Sequence, residues 1–201
     1  MNITIIGGGN IGTAMAIEMA KNGAAVTIMT SHPSDFKKTL SMTDIKTQKT
    51  VSASLFRVTN NPQVAADAQI VFFTVPSSVF PLSFAKILPY LNIKTAVGIV
   101  PGTGGAEFFG QSFIQKGGTF FGFDRVPFIS RLERYGQSVR AEKKTSVRIS
   151  SFPGTNASQL CDTLKNLLQL DCLPLSNYLT ITFTPSNPIL HTSRLYSMYH
   201  D

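Results

Sequence analysis

The segment Ile3-Thr4-Ile5-Ile6-Gly7-Gly8-Gly9-Asn10-Ile11-Gly12 constrains the fold of this chain more than any other. Its isoleucine-rich start reads as a buried strand, and the small-residue amphipathic stretch from Ile11 to Asn22 reads as a helix closed by Gly23. Between them Gly7, Gly9 and Gly12 have the G-x-G-x-x-G spacing. Each position calls for a missing side chain for its own reason: a tight turn out of the strand, close approach of backbone to a pyrophosphate, and close packing of helix on strand. Unpaired N–H groups at the helix N-terminus then face an anion, which puts Asn10 and Ile11 beside the glycines as candidate cofactor contacts. A second strand-like run, Ala25-Val26-Thr27-Ile28-Met29, completes the βαβ unit that a dinucleotide site requires.

An NAD-preferring site usually places Asp or Glu about 20 residues beyond the glycines, to hold the adenosine ribose. Here that place reads Thr30-Ser31-His32-Pro33, with no acid. A carboxylate would repel a 2′-phosphate, whereas the Thr30 and Ser31 hydroxyls can donate to one, and Lys37 and Lys38 follow closely. The sequence therefore leans towards NADP over NAD; the alternative is that both lysines point into water. Ile70-Val71-Phe72-Phe73-Thr74-Val75-Pro76-Ser77 is a continuous apolar strand of the kind buried on both faces of a parallel sheet, stopped by a proline. Ligands of open α/β sheets bind outside the carboxyl ends of the strands, so Val75, Pro76 and Ser77 are candidates for the cofactor wall. Plain strand termination accounts for them equally well.

Residues 34–50 are polar and read as a loop or a marginal short helix, and Phe56 to Thr59 as a third strand. Asn61-Pro62 has the cap-plus-proline pattern of a short helix through Asp67. Val79 to Leu91 is helical in pattern, Ala96 to Val100 is a strand entering the glycine turn Pro101-Gly102-Thr103-Gly104-Gly105, and Glu107 to Gln115 is a helix. Thr119 to Phe123 is a sixth strand. This alternation argues for an α/β fold with a doubly wound, Rossmann-like parallel sheet. From Asp124 the pattern changes to short extended segments, read as antiparallel additions at the sheet edge. An amphipathic helix from Ala157 to Leu168 follows, capped by Thr155 or Asn156.

A chain of 201 residues suits one domain plus a fragment of another. No apolar run approaches the roughly 18 residues of a membrane span. The first strand begins directly after Met1, which leaves no room for a signal peptide, so a cytoplasmic location without a membrane partner is expected. Cys161 and Cys172 fit neither a zinc site nor a disulfide framework, and no metal is expected. The net charge of +7 raises the question of nucleic acid. Its densest part, Arg125, Arg131, Arg134, Arg140, Lys143, Lys144 and Arg148, lies beside no recognition-helix or aromatic-platform motif, which argues against it. A solvated face explains most of these residues, and attraction of an anionic cofactor and carboxylate substrates is a second use.

Taken together, the Gly7–Gly12 turn, Phe72-Phe73-Thr74-Val75-Pro76-Ser77, Pro101-Gly102-Thr103-Gly104-Gly105, Val126-Pro127-Phe128 before Tyr135-Gly136, and Ser186-Asn187-Pro188-Ile189-Leu190-His191 carry a family likeness. With them the chain resembles the octopine/nopaline (opine) dehydrogenase family over nearly all its length. Only the last of these segments is specific to that family. The earlier ones are shared in looser form with glycerol-3-phosphate dehydrogenases and ketopantoate reductases.

The resemblance implies a two-domain NAD(P)H enzyme that joins the amine of an amino acid to a 2-oxo acid, by hydride delivery to an imine. It implies His191 as the catalytic acid/base, a role that suits an imidazole near its ordinary pKa of about 6.5. Asn187 then either positions substrate or caps its helix. Members carry a helical second domain that supplies most of the substrate pocket and a carboxylate partner for the histidine. The expected division is therefore a dinucleotide-binding domain over residues 1–177 and the start of a truncated helical substrate domain over 178–201. Leu190, Leu195, Tyr196, Met198 and Tyr199 would then be exposed and could bury one another in a homodimer. Two other readings stay open: a reductase of the ketopantoate or glycerol-3-phosphate dehydrogenase type, and a non-catalytic dinucleotide-binding sensor.

Overall fold

The structure, a computed structural model, describes residues 1–102, 104–184 and 186–200, with backbone only for 186–188. β1 (Asn2–Ile6), α1 (Asn10–Lys21) and β2 (Ala25–Met29) form the opening βαβ unit where the sequence places it. The chain continues through β3 (Thr39–Asp44), β4 (Thr50–Ser54), β5 (Arg57–Thr59), β6 (Ile70–Phe73), α2 (Phe80–Ile87) and β7 (Ala96–Ile99). Then come α3 (Ala106–Phe109), α4 (Gln111–Gln115), β8 (Thr119–Phe123), β9 (Phe128–Arg134), β10 (Ser138–Lys143) and β11 (Ser146–Phe152). The last elements are α5 (Ala157–Leu168), β12 (Asp171–Pro174), α6 (Leu179–Thr182) and α7 (Ser186–Tyr199).

The main sheet has the order β12-β11-β8-β7-β6-β1-β2-β5. From β5 to β8 every pairing is parallel, and β11 joins β8 antiparallel, with β12 parallel to β11. The order of these parallel strands is that of a doubly wound dinucleotide-binding sheet, with its switch point between β1 and β6. Alternation along the strands divides the core. Ile3, Ile5, Phe72, Phe121 and Phe123 face α1 and α5, while Ile6, Val71, Phe73, Val97 and Phe120 face α2 and α4.

The largest departure from the sequence reading lies in residues 34–50, expected as a loop or short helix. They carry β3 and lead into β4, which pair as an antiparallel hairpin. β3 also pairs in parallel with β10, and β10 antiparallel with β9, to make a second sheet of order β4-β3-β10-β9. Two of the segments expected at the edge of the main sheet therefore belong elsewhere; only β11 is the antiparallel edge addition. The physical reason is non-local. Leu40, Met42, Ala53, Val139 and Ala141 are buried against α1, while Thr39 meets Ser54 at 2.8 Å and Thr43 meets Thr50 at 2.9 Å on the outer face. The short polar alternation of β3 is weak on its own and becomes a strand between its hairpin partner β4 and a second partner, β10, about a hundred residues away.

Local differences have local causes. The expected helix over Glu107–Gln115 is split at Gly110, whose bare α carbon sits against the Phe120 ring. The helix after Asn61 is a single 3-10 turn over Pro62–Ala65, capped by Asn61 Oδ1 accepting from Gln63 N at 3.0 Å. The strand expected over Ile70–Ser77 ends at Phe73. Asn156 does not cap α5 with its side chain; its Nδ2 donates to Thr119 Oγ1 at 2.8 Å. Tyr178 and Ile181, expected to open a second unit, are buried in this one. Among the described residues no helix is long and apolar enough to cross a membrane.

α1 lies between the two sheets, and its residues from Gly12 to Met19 are all buried. One of them is Glu18. Its carboxylate accepts from Lys143 Nζ on β10 and from Lys21 Nζ, each at 2.9 Å, and Lys143 also reaches the Leu168 carbonyl at the end of α5 at 3.3 Å. Burial opposes ionisation of Glu18, but the hydrogen bonds from Lys143 and Lys21 outweigh it and hold the carboxyl below its usual value of about 4.5. A carboxyl lowered in the folded state contributes stability above the unfolded value, and that contribution is lost as pH falls through the folded one. In urea unfolding, Glu18→Gln is therefore expected to cost about 2 kcal/mol at pH 7. The cost should shrink below pH 4, and an equal cost at both pH values would show that the ion pair is not its source.

Candidate functional site

The carboxyl ends of β1, β2, β6 and β7 open onto one groove made of two adjoining depressions. The first, about 620 Å³, is lined by Gly9, Asn10, Ile11, Thr74–Ser77, Val100, Pro101, Gly104, Ala106 and Phe109, among others. The second, about 550 Å³, is lined by Gly7, Gly8, Thr30, Ser31, Asn60, Val75, Val79, Ser83, Lys86 and Tyr135, together with Ile6 and Met29. Val75 belongs to both walls, so the two are continuous around the end of β6.

The glycine turn is built by close contact. Gly7 has φ +109°, a conformation that side chains disfavour, and its N–H donates to the Met29 carbonyl at 3.0 Å. A side chain on Gly12 would overlap the Gly7 carbonyl oxygen and Thr74 Oγ1, and one on Gly8 would overlap the Phe36 ring. Gly9 differs from these. A Cβ there would meet nothing within 4 Å, because the residue faces the open groove. Gly9 also begins α1 without a side-chain cap, and Thr13 N is the first donor to reach back to it, at 3.0 Å from the Gly9 carbonyl. The preceding N–H groups of the first turn are left for a ligand, as a pyrophosphate requires.

The structure brings Gly7, Gly9, Asn10, Ile11, Thr30, Ser31, Val75, Pro76 and Ser77 to the groove, with Gly12 packed behind it. Two have prior engagements. Asn10 Oδ1 accepts from Leu132 N of β9 at 2.7 Å, which leaves its backbone N–H for a ligand. Thr30 is buried, and its hydroxyl shares a hydrogen bond with Tyr135 Oη at 3.0 Å. Ser31 is exposed at the rim, with Oγ 2.8 Å from His32 Nδ1. Lys37 and Lys38 do not line the groove; Lys37 lies in a separate depression with Arg134 and Gln137. His191 is not brought there either. It is exposed on α7, whose residues Ile189–Tyr199 are all exposed, and it lines neither depression. The side chain of Asn187 and all of Thr103 fall outside the described residues.

Sequence reasoning missed Thr74, Phe109, Asn60, Tyr135 and Lys86. Thr74 Oγ1 reaches the carbonyls of Ile6 at 3.1 Å and Gly7 at 3.0 Å, stapling β6 to the glycine turn. A threonine at the end of an apolar strand is its only signal. Gly102 is held by its N–H on the Phe123 carbonyl at 2.8 Å and by the buried Tyr178, whose hydroxyl is pushed above its usual pKa by burial and by Glu107. Much of the basic region has structural partners: Arg125 and Arg148 pair with the buried Asp124 at 3.1 and 2.9 Å. Among the described residues no cluster of three or more His, Cys, Asp or Glu is placed to hold a metal, and Cys161 and Cys172 are free thiols.

Comparison with known proteins fits this geometry. Residues 2–111 match the model of the NAD-dependent glycerol-3-phosphate dehydrogenase N-terminus. An uncharacterized protein of Sinorhizobium fredii is 26% identical over 98% of this chain and 56% of its own length. A glycerol-3-phosphate dehydrogenase [NAD(P)+] of Acinetobacter baumannii is 29% identical over 54% of this chain and 31% of its own. Among solved structures, octopine dehydrogenase with NADH and L-arginine superposes over 100% of this chain and 55% of its own, with TM-score 0.83 and 20% identity. The chain thus spans about half the length of these relatives or less.

The groove makes Gly9 and Gly12 separable. Gly9 has an ordinary φ of −80°, so Gly9→Ala should leave the thermal midpoint within about 2 °C while weakening dinucleotide binding by about tenfold or more in a fluorescence titration. Gly12→Ala should lower the midpoint itself by several degrees, roughly 2 kcal/mol of overpacking. Unimpaired binding by the Gly9 variant would remove the groove as the pyrophosphate site. The uncapped helix start, the switch-point groove and a family match covering more than half of the residues agree, and the chain belongs to the family of the NAD-dependent glycerol-3-phosphate dehydrogenase N-terminus, a nicotinamide dinucleotide-binding domain.

Proposed function

We propose that the chain is the cofactor-binding part of an NADPH-dependent opine-type dehydrogenase, which condenses an amino acid with a 2-oxo acid and reduces the resulting imine. The observation that carries the cofactor half of this reading is the groove around Gly9, where bare backbone and unpaired helix N–H groups meet a wall without a single carboxylate among its described residues. The likeness to octopine dehydrogenase over the whole chain, together with the Ser186–His191 segment, favours the substrate half. In this reading Gly9, Asn10, Ile11 and Gly12 offer backbone to the diphosphate, and Thr30 and Ser31 close the adenosine end. Val75, Pro76 and Ser77 wall the nicotinamide end with Pro101, Gly104 and Phe109. NADPH bound there supplies a hydride to the imine carbon. The wall around that end is mostly apolar, which suits a ring to be shielded from water on one side.

His191 is assigned the proton that the imine nitrogen gains. Its place on the exposed α7 sets it apart from the groove, so the imidazole must approach when substrate is held. The helical substrate unit is taken to open with α7, since Tyr178 and Ile181 pack into the cofactor domain. Leu190, Leu195, Tyr196, Met198 and Tyr199, all exposed on α7, support association of that helix with further helices or with a second copy in a homodimer. The match to the glycerol-3-phosphate dehydrogenase N-terminus favours a second reading, reduction of a phosphorylated ketone on the same cofactor site.

Titration of the 201-residue chain should show NADPH binding more tightly than NADH, and Ser31→Asp should reverse that order by repelling the 2′-phosphate. Oxidation of NADPH should be slow, because the His191 ring lies outside the groove, and should require an amino acid and a 2-oxo acid together. His191→Asn should abolish that oxidation and leave the titration unchanged. Oxidation with dihydroxyacetone phosphate alone would replace the opine reading with the second one, and equal affinity for both nucleotides would remove the NADP preference.

A further inference from the structure

α2 turns a single face to the adenosine depression. Val79, Ser83 and Lys86 follow one another at helical spacing and all line it. The adjoining face of the helix is fixed, because Phe80, Phe84 and Ile87 are buried and the Phe73 ring meets Phe80 at 4.8 Å and Phe84 at 5.8 Å. α2 therefore cannot roll Lys86 away from the depression without exposing three apolar side chains. Among the described residues that line it, Lys86 is the one charged side chain. No carboxylate among the described residues is within ion-pair distance of its ammonium group. Ser83 and Asn60 on the walls add hydroxyl and amide donors, and the exposed Ser31 on the rim has its hydroxyl shared, among the described residues, only with the neighbouring His32, whereas the buried Thr30 hydroxyl is engaged by Tyr135.

We propose that Lys86, with Ser83 beneath it and Ser31 at the end of β2, forms the site for the 2′-phosphate of NADPH and sets the cofactor preference of this chain. The inference rests on the reading of this depression as the adenosine end of a dinucleotide site. It transfers to a helix on the far wall the charge that the sequence offered only through Lys37 and Lys38. A compact ammonium on a flexible stem suits a phosphate held at the edge of a water-filled depression. Because Lys86 is exposed, its attraction is screened, and the preference for NADPH weakens as ionic strength rises.

The test is a pair of fluorescence titrations, NADPH and NADH, on the wild-type chain and on Lys86→Ala, Lys86→Arg and Lys86→Glu, at about 0.05 M and 0.5 M salt. Lys86→Ala should weaken NADPH about 10- to 30-fold and leave NADH within about twofold, with the greater loss at low salt. Lys86→Arg should retain most of the preference, and Lys86→Glu should invert it. Equal losses for both nucleotides would assign Lys86 a merely structural part and overturn the proposal, as would unchanged NADPH affinity in the alanine variant. If the wild-type chain bound NADH and NADPH equally, the specificity site would be refuted while the dinucleotide reading stood. If it bound neither, both would fall.

Discussion

The contact on which the rest depends is the one between the α carbon of Gly12 and the carbonyl of Gly7, with the Thr74 hydroxyl wedged beside them. It brings the first turn of α1 down onto the ends of β1 and β6, so that the helix N-terminus and the strand ends open on the same side. Any side chain at Gly12 would hold the helix off the sheet and swing its unpaired N–H groups out of the groove. The left-handed turn at Gly7 and the Thr74 staple serve the same approach from below. The room for an anion here follows from packing; none of the described residues lining the depression at Gly9, Asn10 and Ile11 is cationic.

What keeps that geometry rigid is the unusual environment of α1. A helix of a doubly wound fold ordinarily shows one face to water, but here the second sheet covers it. The helix can be this rich in small and apolar residues because it has no solvent side over most of its length. Its one buried carboxylate, Glu18, is used to fasten β10 and the end of α5 to it through Lys143. Asn10 does the same at the other end of the helix, through the backbone of β9. The second sheet therefore fixes the groove from behind, and Phe36 and Tyr135, whose rings meet edge to face at 5.1 Å, carry it round to Thr30.

Two ends with different chemistry result. The depression around Pro76, Pro101 and Phe109 is apolar and uncharged, suited to a flat ring that must be shielded. The depression around Ser31, Ser83 and Lys86 is polar and carries one positive charge. α7 lines neither, and its apolar residues Ile189, Leu190, Leu195, Tyr196, Met198 and Tyr199 are exposed.

The sequence by itself determined the parts whose physics is local. Gly7, Gly9 and Gly12 at their spacing, the isoleucine run before them and the apolar strands β2, β6, β7 and β8 announce a parallel sheet with a dinucleotide turn, because glycine tolerance and continuous burial are written into each short segment. Only the tertiary structure decided the second sheet, the covering of α1 and the cation beside Thr30 and Ser31. Thr39–Asp44 pairs with the neighbouring β4 and, through Ser41–Asp44, with Ser138–Ala141 far along the chain, and no local pattern encodes that second pairing. Lys86 reaches the depression beside Thr30 and Ser31 because Phe80, Phe84 and Ile87 orient α2, whereas Lys37 and Lys38, nearer in sequence, are drawn off with the second sheet. Proximity along the chain identified the turn, and proximity in space chose the residues around it.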